Sequence, residues 1–357
     1  MSLFQEDFIA TTAAVRVRFG SGVRWKLGEE MEALGLGRAL ILTTPQQAAT
    51  GEEFVSLLGD KAAGLYTRAT MHTPVDVSEE ATARALELKA DCVVAIGGGS
   101  TTGLGKAIAL RTDLPQIVVP TTYAGSEATP ILGQTENGVK TTLTSGKVQP
   151  EVILYDAELV ATLPVGMTVT SALNAMAHAA EGLYARNRSP ISSLMAVEGL
   201  RAFRAALPKV KASPGDLMAR GETLYGAWLC GTVLGQVGMA LHHKLCHTLG
   251  GSFDLPHAET HAVVLPHAIA YNAAAVPDLL APVAEIYGNA NPGIALYDFA
   301  AEMGSPMALR DLGLREADLD RAADLATKNP YWNPRPIERD AIRRLLQAAW
   351  AGERPTA

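Results

Sequence analysis

The sequence is poor in cysteine, with only Cys92, Cys230 and Cys246 among 357 residues. They are too few and too scattered for a disulfide framework, and Cys92 sits in an apolar, strand-like run where it reads as core. A basic excess is lacking too. The net charge of −7 and a pI near 5.7 argue against nucleic acid or an anionic membrane as partner. An anionic substrate must then be drawn in by local positive groups. No run approaches the roughly 20 apolar residues of a membrane span, and the first residues lack the basic-then-apolar order of a signal peptide. A soluble, cytoplasmic protein is the expectation. Internal repeats and low-complexity stretches are also missing. What is present, 48% hydrophobic and 19% charged residues, excludes disorder as the default state and suffices for two domains with substantial cores.

The first half alternates short apolar runs with helical patterns. Arg38–Thr43, Gly64–Tyr66, Asp91–Ile96, Gln116–Pro120 and Val152–Asp156 read as strands; Ser78–Lys89, with Ser78 as N-cap, and Gly103–Arg111 read as helices. Continuous apolar strands separated by helices imply a parallel sheet covered on both faces, with ligands at the carboxyl ends of its strands. Two loops fall at such ends. In Gly97-Gly98-Gly99-Ser100 the glycines allow close backbone approach to a phosphate, and the helix that follows presents its unpaired amides. A tight structural turn is the plainer alternative, and the spacing is not GxGxxG. The second loop, Pro120–Glu127, offers Thr121, Thr122, Tyr123 and Ser126 for hydrogen bonds to a pyrophosphate or ribose, with Tyr123 either stacking on a coenzyme or packing in the loop. After the first strand stand Thr43 and Thr44, with no carboxylate to hold an adenosine 2′-hydroxyl. NADH and NADPH both remain open.

Beyond Pro164 the alternation stops and helices follow one another, as in Thr168–Ala185, Ser192–Leu207, Leu217–Leu234, Ala240–Leu249 and Ala295–Met303. We place the domain border there: 1–163 is an α/β domain and 164–357 an all-α domain. Six of the eight histidines crowd into Leu241–Asn272. His243 and His247, four apart, share one helix face. Gly250 and Gly251 read as the helix stop, and Pro256 opens a segment presenting His257. His178 lies in a separate helical pattern. These four imidazoles, with Asn174, form the candidate catalytic group. His242 reads as supporting or structural; His72, His261 and His267 read as ordinary satisfied histidines.

Taken in order, GGGS at Gly97–Ser100 with Lys106, PTTYAGSE at Pro120–Glu127, NAMAHAAE at Asn174–Glu181, HKLCHTLGGSFDLPH at His243–His257, LPHAIAYN at Leu265–Asn272 and NPRPI at Asn333–Ile337 resemble the iron-containing alcohol dehydrogenase superfamily. The resemblance implies its dehydroquinate synthase-like fold: a Rossmann-like parallel-sheet nucleotide-binding domain, a helical domain, and a coenzyme in the cleft between them. By position the superfamily's metal ligands fall on Asn174, His178, His243 and His257. Lys140 resembles a family lysine near the coenzyme phosphates; Lys106 contacts phosphate or solvates a helix; Arg335 reads as structural, fixing the loop after the last helices, with a carboxylate contact as the alternative. Three departures matter: Asn174 replaces an aspartate, Gly103 an acidic residue, and PTTYAGSE is one residue short of PTTAGTGSE. In these the chain resembles the maleylacetate reductase group. That implies NADH- or NADPH-dependent reduction of maleylacetate, a small dicarboxylate, to 3-oxoadipate in aromatic degradation, by a homodimer without a catalytic metal. His243 and His247 would polarise the ketone and supply a proton, a charged imidazole being favoured by substrate carboxylates. Alternatives are a metal-dependent alcohol dehydrogenase and, from another class, a dehydroquinate synthase-like lyase.

Overall fold

The computed structural model describes residues 5, 7–329 and 331–356, the side chain of Lys140 excepted. The chain divides into two compact units. One holds Thr12–Leu163 and Gly215–Leu224; the other holds Pro164–Pro214 and Tyr225–Ala357, together with the described residues before Thr12.

In the first unit, strands β1 (Arg16–Phe19), β2 (Ala39–Leu42), β3 (Ala62–Tyr66), β4 (Cys92–Gly97), β5 (Gln116–Pro120) and β8 (Val152–Tyr155) form one parallel sheet. Its order is β1-β8-β5-β4-β2-β3. Strand addition reverses between β2 and β4, which are neighbours, so the carboxyl ends of these two strands flank a topological switch point. Alternate side chains feed opposite faces. Ile41, Val94 and Ile117 pack with Leu27, Met31 and Phe54, while Leu40, Leu42, Val93 and Ala95 pack with Leu104 and Ile108. Helices α1 (Leu27–Ala33), α2 (Ala48–Leu58), α3 (Val75–Glu87) and α4 (Gly99–Thr112) supply the covering layers.

Several boundaries differ from those expected. Helix α3 starts after Pro74, whose extended backbone leads into the first turn, so Ser78 lies inside the helix and donates its hydroxyl to the Pro74 carbonyl at 2.8 Å. Helix α4 begins at Gly99, not Gly103, because Gly98 is its N-cap and the first turn starts at once after it. Strand β1 and the hairpin β6 (Ile131–Glu136) and β7 (Val139–Thr144) are additions. The hairpin had a sequence signal: Asn137 and Gly138 turn with φ of 50° and 76°, the left-handed pair that a tight hairpin favours. β1 carries RVRF at the sheet edge, half exposed and charged, and gives no apolar run to read.

The second unit is built from α5 (Val165–Gly182), α6 (Pro190–Ala212), most of α7 (Leu217–Gln236), α8 (Leu241–Phe253), α9 (His257–Ala273), α10 (Pro277–Tyr287), α11 (Pro292–Met303), α12 (Leu319–Thr327) and α13 (Arg339–Ala351). Gly250 and Gly251 do not stop α8. The helix runs one further turn, which brings Phe253 against the core of Leu245, Leu249 and Leu255, and it ends at Asp254 with φ of 55°. Among the described residues no single helix is long and apolar enough to cross a membrane.

Candidate active site

Three helices of the second unit bring six imidazoles and one carboxylate together. His178 lies on α5, His242, His243 and His247 on α8, and His257 and His261 on α9. The His243 ring stands 5.1 Å from His178, 5.2 Å from His261 and 6.1 Å from His247, centroid to centroid. His257 and His261 are 4.2 Å apart. The four imidazoles expected to be catalytic are thus gathered at one place, with His247 and His257 at its exposed side and His178 and His243 buried; Asn174 is buried on α5, one helical turn before His178. His261 belongs with them. Reading it as an ordinary histidine overlooked the spacing HAETH, which sets it one helical turn after His257 just as His247 follows His243.

Helix α8 needs an outside partner to begin here. Ala240, its N-cap, carries no side-chain acceptor, so the first amides of the helix are orphans. Glu181, at the end of α5 and fully buried, takes them. Its carboxylate accepts from Ala240 N at 3.0 Å and His242 N at 2.8 Å. It also accepts from His243 Nδ1 at 2.7 Å and from the Tyr184 hydroxyl at 3.1 Å. Tyr184 is held by Asn272, which exchanges two amide hydrogen bonds with Asn333. His242 directs Nε2 to the His261 carbonyl at 3.0 Å. Among the described residues His243 Nε2, His178 Nδ1 and both ring nitrogens of His261 have no such partner, nor does Asn174 Oδ1 on α5. Burial holds His178, His243 and His261 well below the usual imidazole range, with the neighbouring imidazoles adding to it. The buried end of the cluster is therefore uncharged near neutral pH.

In the first unit the glycine turn Gly97–Gly99 lies at the switch point, between β4 and α4. Gly97 has φ of 152°, and a Cβ there would come within 2.4 Å of Thr101 Oγ1 and 2.8 Å of Gln47 Oε1. A Cβ on Gly98 would meet Thr122 at 3.0 Å. The backbone is bare where it leads into α4, whose N-cap Gly98 provides no side-chain acceptor for Gly99, Ser100 and the amides after them. That is the form of an anion cradle. Gln47 donates to Thr121 Oγ1 at 2.9 Å and lies 3.5 Å from Thr44 Oγ1, tying the ends of β2 and β5 together. Thr43 and Tyr123 are fully buried. The side chain of Lys140 lies outside the described residues.

Lys106 does not lie in solvent along its helix. It is fully buried, and Nζ donates to the carbonyls of Ser126 (2.6 Å), Thr129 (2.6 Å) and Ile131 (2.8 Å) and contacts Thr129 Oγ1 at 3.0 Å. It clamps the second loop from beneath. Burial pushes its pKa down to about 7, against the pull of Glu127. Burial raises the Glu127 carboxyl, which accepts from Tyr155 at 3.0 Å. Arg335 donates to the Tyr271 carbonyl at 2.9 Å and lies over that ring, fixing its own loop.

The family model described as iron-containing alcohol dehydrogenase matches residues 14–157, and its C-terminal counterpart matches residues 168–350. This chain belongs to the iron-containing alcohol dehydrogenase family. Within it, the chain is 62% identical over 350 residues to a maleylacetate reductase of Rhizobium sp. (strain MTP-10005), covering 98% of this chain and 99% of that protein. A maleylacetate reductase of Burkholderia cepacia is 54% identical, with 98% and 99% covered. The crystal structure of maleylacetate reductase from Agrobacterium tumefaciens superposes with a TM-score of 0.96 at 61% identity, covering 98% of this chain and 100% of that one.

The family's name implies iron, and the donors present fit such a centre poorly. At the ligand positions stand Asn174, a neutral amide, and the imidazoles of His178, His243 and His257. The nearby buried carboxylate, Glu181, is spent on two backbone amides, an imidazole and a phenol. A dication held by the three imidazoles would have a neutral amide, not a carboxylate, as its fourth ligand, so none of its charge would be offset.

Proposed function

We propose that this chain is an NADH- or NADPH-dependent reductase that converts maleylacetate to 3-oxoadipate without a catalytic metal, as a cytoplasmic homodimer. The observation that carries the reading is the histidine cluster: its buried rings His178, His243 and His261 are held below the usual imidazole range, with nitrogens that have no partner among the described residues, and an amide stands where an iron site wants a carboxylate. The near-full-length likeness to maleylacetate reductases supports it.

A nicotinamide coenzyme, when bound, supplies the hydride received by the alkene carbon β to the substrate ketone. The cradle at Gly97–Ser100, with Thr44, Thr121, Thr122 and Ser126 around it, would hold its phosphates, and Thr43 and Tyr123 shape that loop from within. The histidine cluster does the rest. Substrate carboxylates among the imidazoles favour their protonated forms, because an anion at close range outweighs part of the desolvation. A protonated imidazole then hydrogen-bonds the ketone oxygen, which stabilises the enolate, and gives its proton to the carbon next to the ketone. The exposed His247 can restore that proton from solvent. Two electrons and a proton arrive with the hydride and one proton from the imidazolium, so the alkene gains two hydrogens.

The test follows NADH and NADPH absorbance with maleylacetate and with simple aldehydes, each with EDTA or with added Zn²⁺ or Fe²⁺. Oxidation with maleylacetate that EDTA leaves unchanged is expected. Oxidation with aldehydes alone would overturn the substrate, and activity that EDTA abolishes and Fe²⁺ restores would overturn the metal-free chemistry.

A further inference from the structure

The Nδ1 atom of His243 has one strong partner, the Glu181 carboxylate at 2.7 Å. A carboxylate only accepts, so the imidazole must carry its proton on Nδ1 and leave the lone pair on Nε2. Nε2 is buried, has no partner among the described residues, and belongs to the ring that neighbours His178, His247 and His261. We infer that Glu181 is a positioning residue for the reduction: it fixes the tautomer and ring orientation of His243, so that Nε2, with its lone pair, is the nitrogen presented to the cluster. The inference rests on the reductase reading for its consequence, but the tautomer stands on the contacts alone.

Two features separate this from a plain helix cap. First, Glu181 is itself fixed. It is fully buried at the end of α5, and Tyr184, Asn272 and Asn333 form a chain of hydrogen bonds behind it. Capping α8 alone needs acceptors for backbone amides, not a tethered carboxylate aimed at an imidazole. Second, the negative charge lies on the far side of the ring from Nε2. Orientation by a buried carboxylate on the opposite ring nitrogen is how a catalytic histidine is held ready in other settings.

The test is Glu181→Gln in the full-length protein. The glutamine keeps the size and one acceptor oxygen but can place an N–H against Nδ1, which moves the imidazole proton to Nε2. Turnover with maleylacetate should fall on the order of 10²–10⁴-fold, the range of general acid help, with KM for the coenzyme unchanged. ¹⁵N NMR of histidine-labelled protein, with the His243 signal assigned by its loss in His243→Gln, should show wild-type His243 protonated at Nδ1 and the variant shifted toward Nε2. A turnover loss smaller than about tenfold, below what general acid catalysis accounts for, would overturn the inference. So would a wild-type His243 protonated at Nε2, a result that needs no variant to fold. If the wild type oxidised neither coenzyme with maleylacetate while its tautomer was as expected, the reductase reading would fail and the placement by Glu181 would stand.

Discussion

At the scale of single residues, His243 and Lys106 act in separate units and should fail in separate ways. Replacing His243 by Ala removes the imidazole that Glu181 orients and nothing that touches the glycine loop. Turnover should drop by ~10²-fold or more while NADH affinity, read by fluorescence titration, stays near its starting value; equal losses in both would contradict the role. Lys106→Met reverses the pattern. It deprives the carbonyls of Ser126, Thr129 and Ile131 of their shared donor, and each oxygen left buried without a partner costs ~1–3 kcal/mol. The loop that carries Thr121 and Thr122 should loosen, with a lower melting temperature and weaker NADH binding; a tight-binding, equally stable variant would refute the clamp. The i, i+4 spacing made His243 and His247 legible from sequence, and the same rule would have given His261. Glu181 was not legible. Its hydrogen-bond partners on α8 lie about 60 residues further along the chain, and nothing in a local pattern says which carboxylate will cap which helix.

At the scale of elements, the glycines show where sequence reading works and where packing overrides it. Strands β2, β4, β5 and β8 came out of their apolar runs, because a strand buried on both faces has no polar positions to confuse the pattern. Gly250 and Gly251 misled, because glycine pairs usually end helices, and only the core contact of Phe253 reveals that α8 continues. The consequence is measurable. A Cβ on Gly251 meets nothing within 4 Å, and an alanine inside a helix is favoured over glycine by ~0.5–1 kcal/mol. Gly251→Ala should raise the melting temperature slightly; a loss of stability would mean that the helix does stop there. Gly293 behaves oppositely. It lets α11 lie against α9, and a Cβ would come within 2.5 Å of the Pro266 carbonyl and 2.6 Å of the Ala270 amide. Backbone cannot yield as a side chain tip does, so Gly293→Ala should cost ~1–3 kcal/mol, seen as a lower denaturant midpoint.

For the whole molecule, the buried histidines set how stability depends on pH. His242 and His267 are pushed down to about 4, in each case mainly by burial, and His178, His243 and His261 are shifted the same way. Their ordinary value is 6.5. Above it, both folded and unfolded chains hold these rings neutral and no stability is at stake. Between 6.5 and about 4 the unfolded chain binds protons that the folded chain refuses, so stability falls as pH falls, by up to about 1.4 kcal/mol per pH unit for each group. All five rings belong to the helical unit, which should therefore lose structure first on acidification. Lys106, in the other unit, does not contribute here, since below about 7 it is protonated in both states. Melting followed by circular dichroism at pH 7, 6 and 5 should show a steepening decline, and His267→Leu, which removes one titrating ring far along α9, should flatten it by one group's share. A melting temperature that held constant from pH 7 to 5 would show that the cluster takes up protons freely while folded. That result would also remove the reason for a substrate anion to be what charges it.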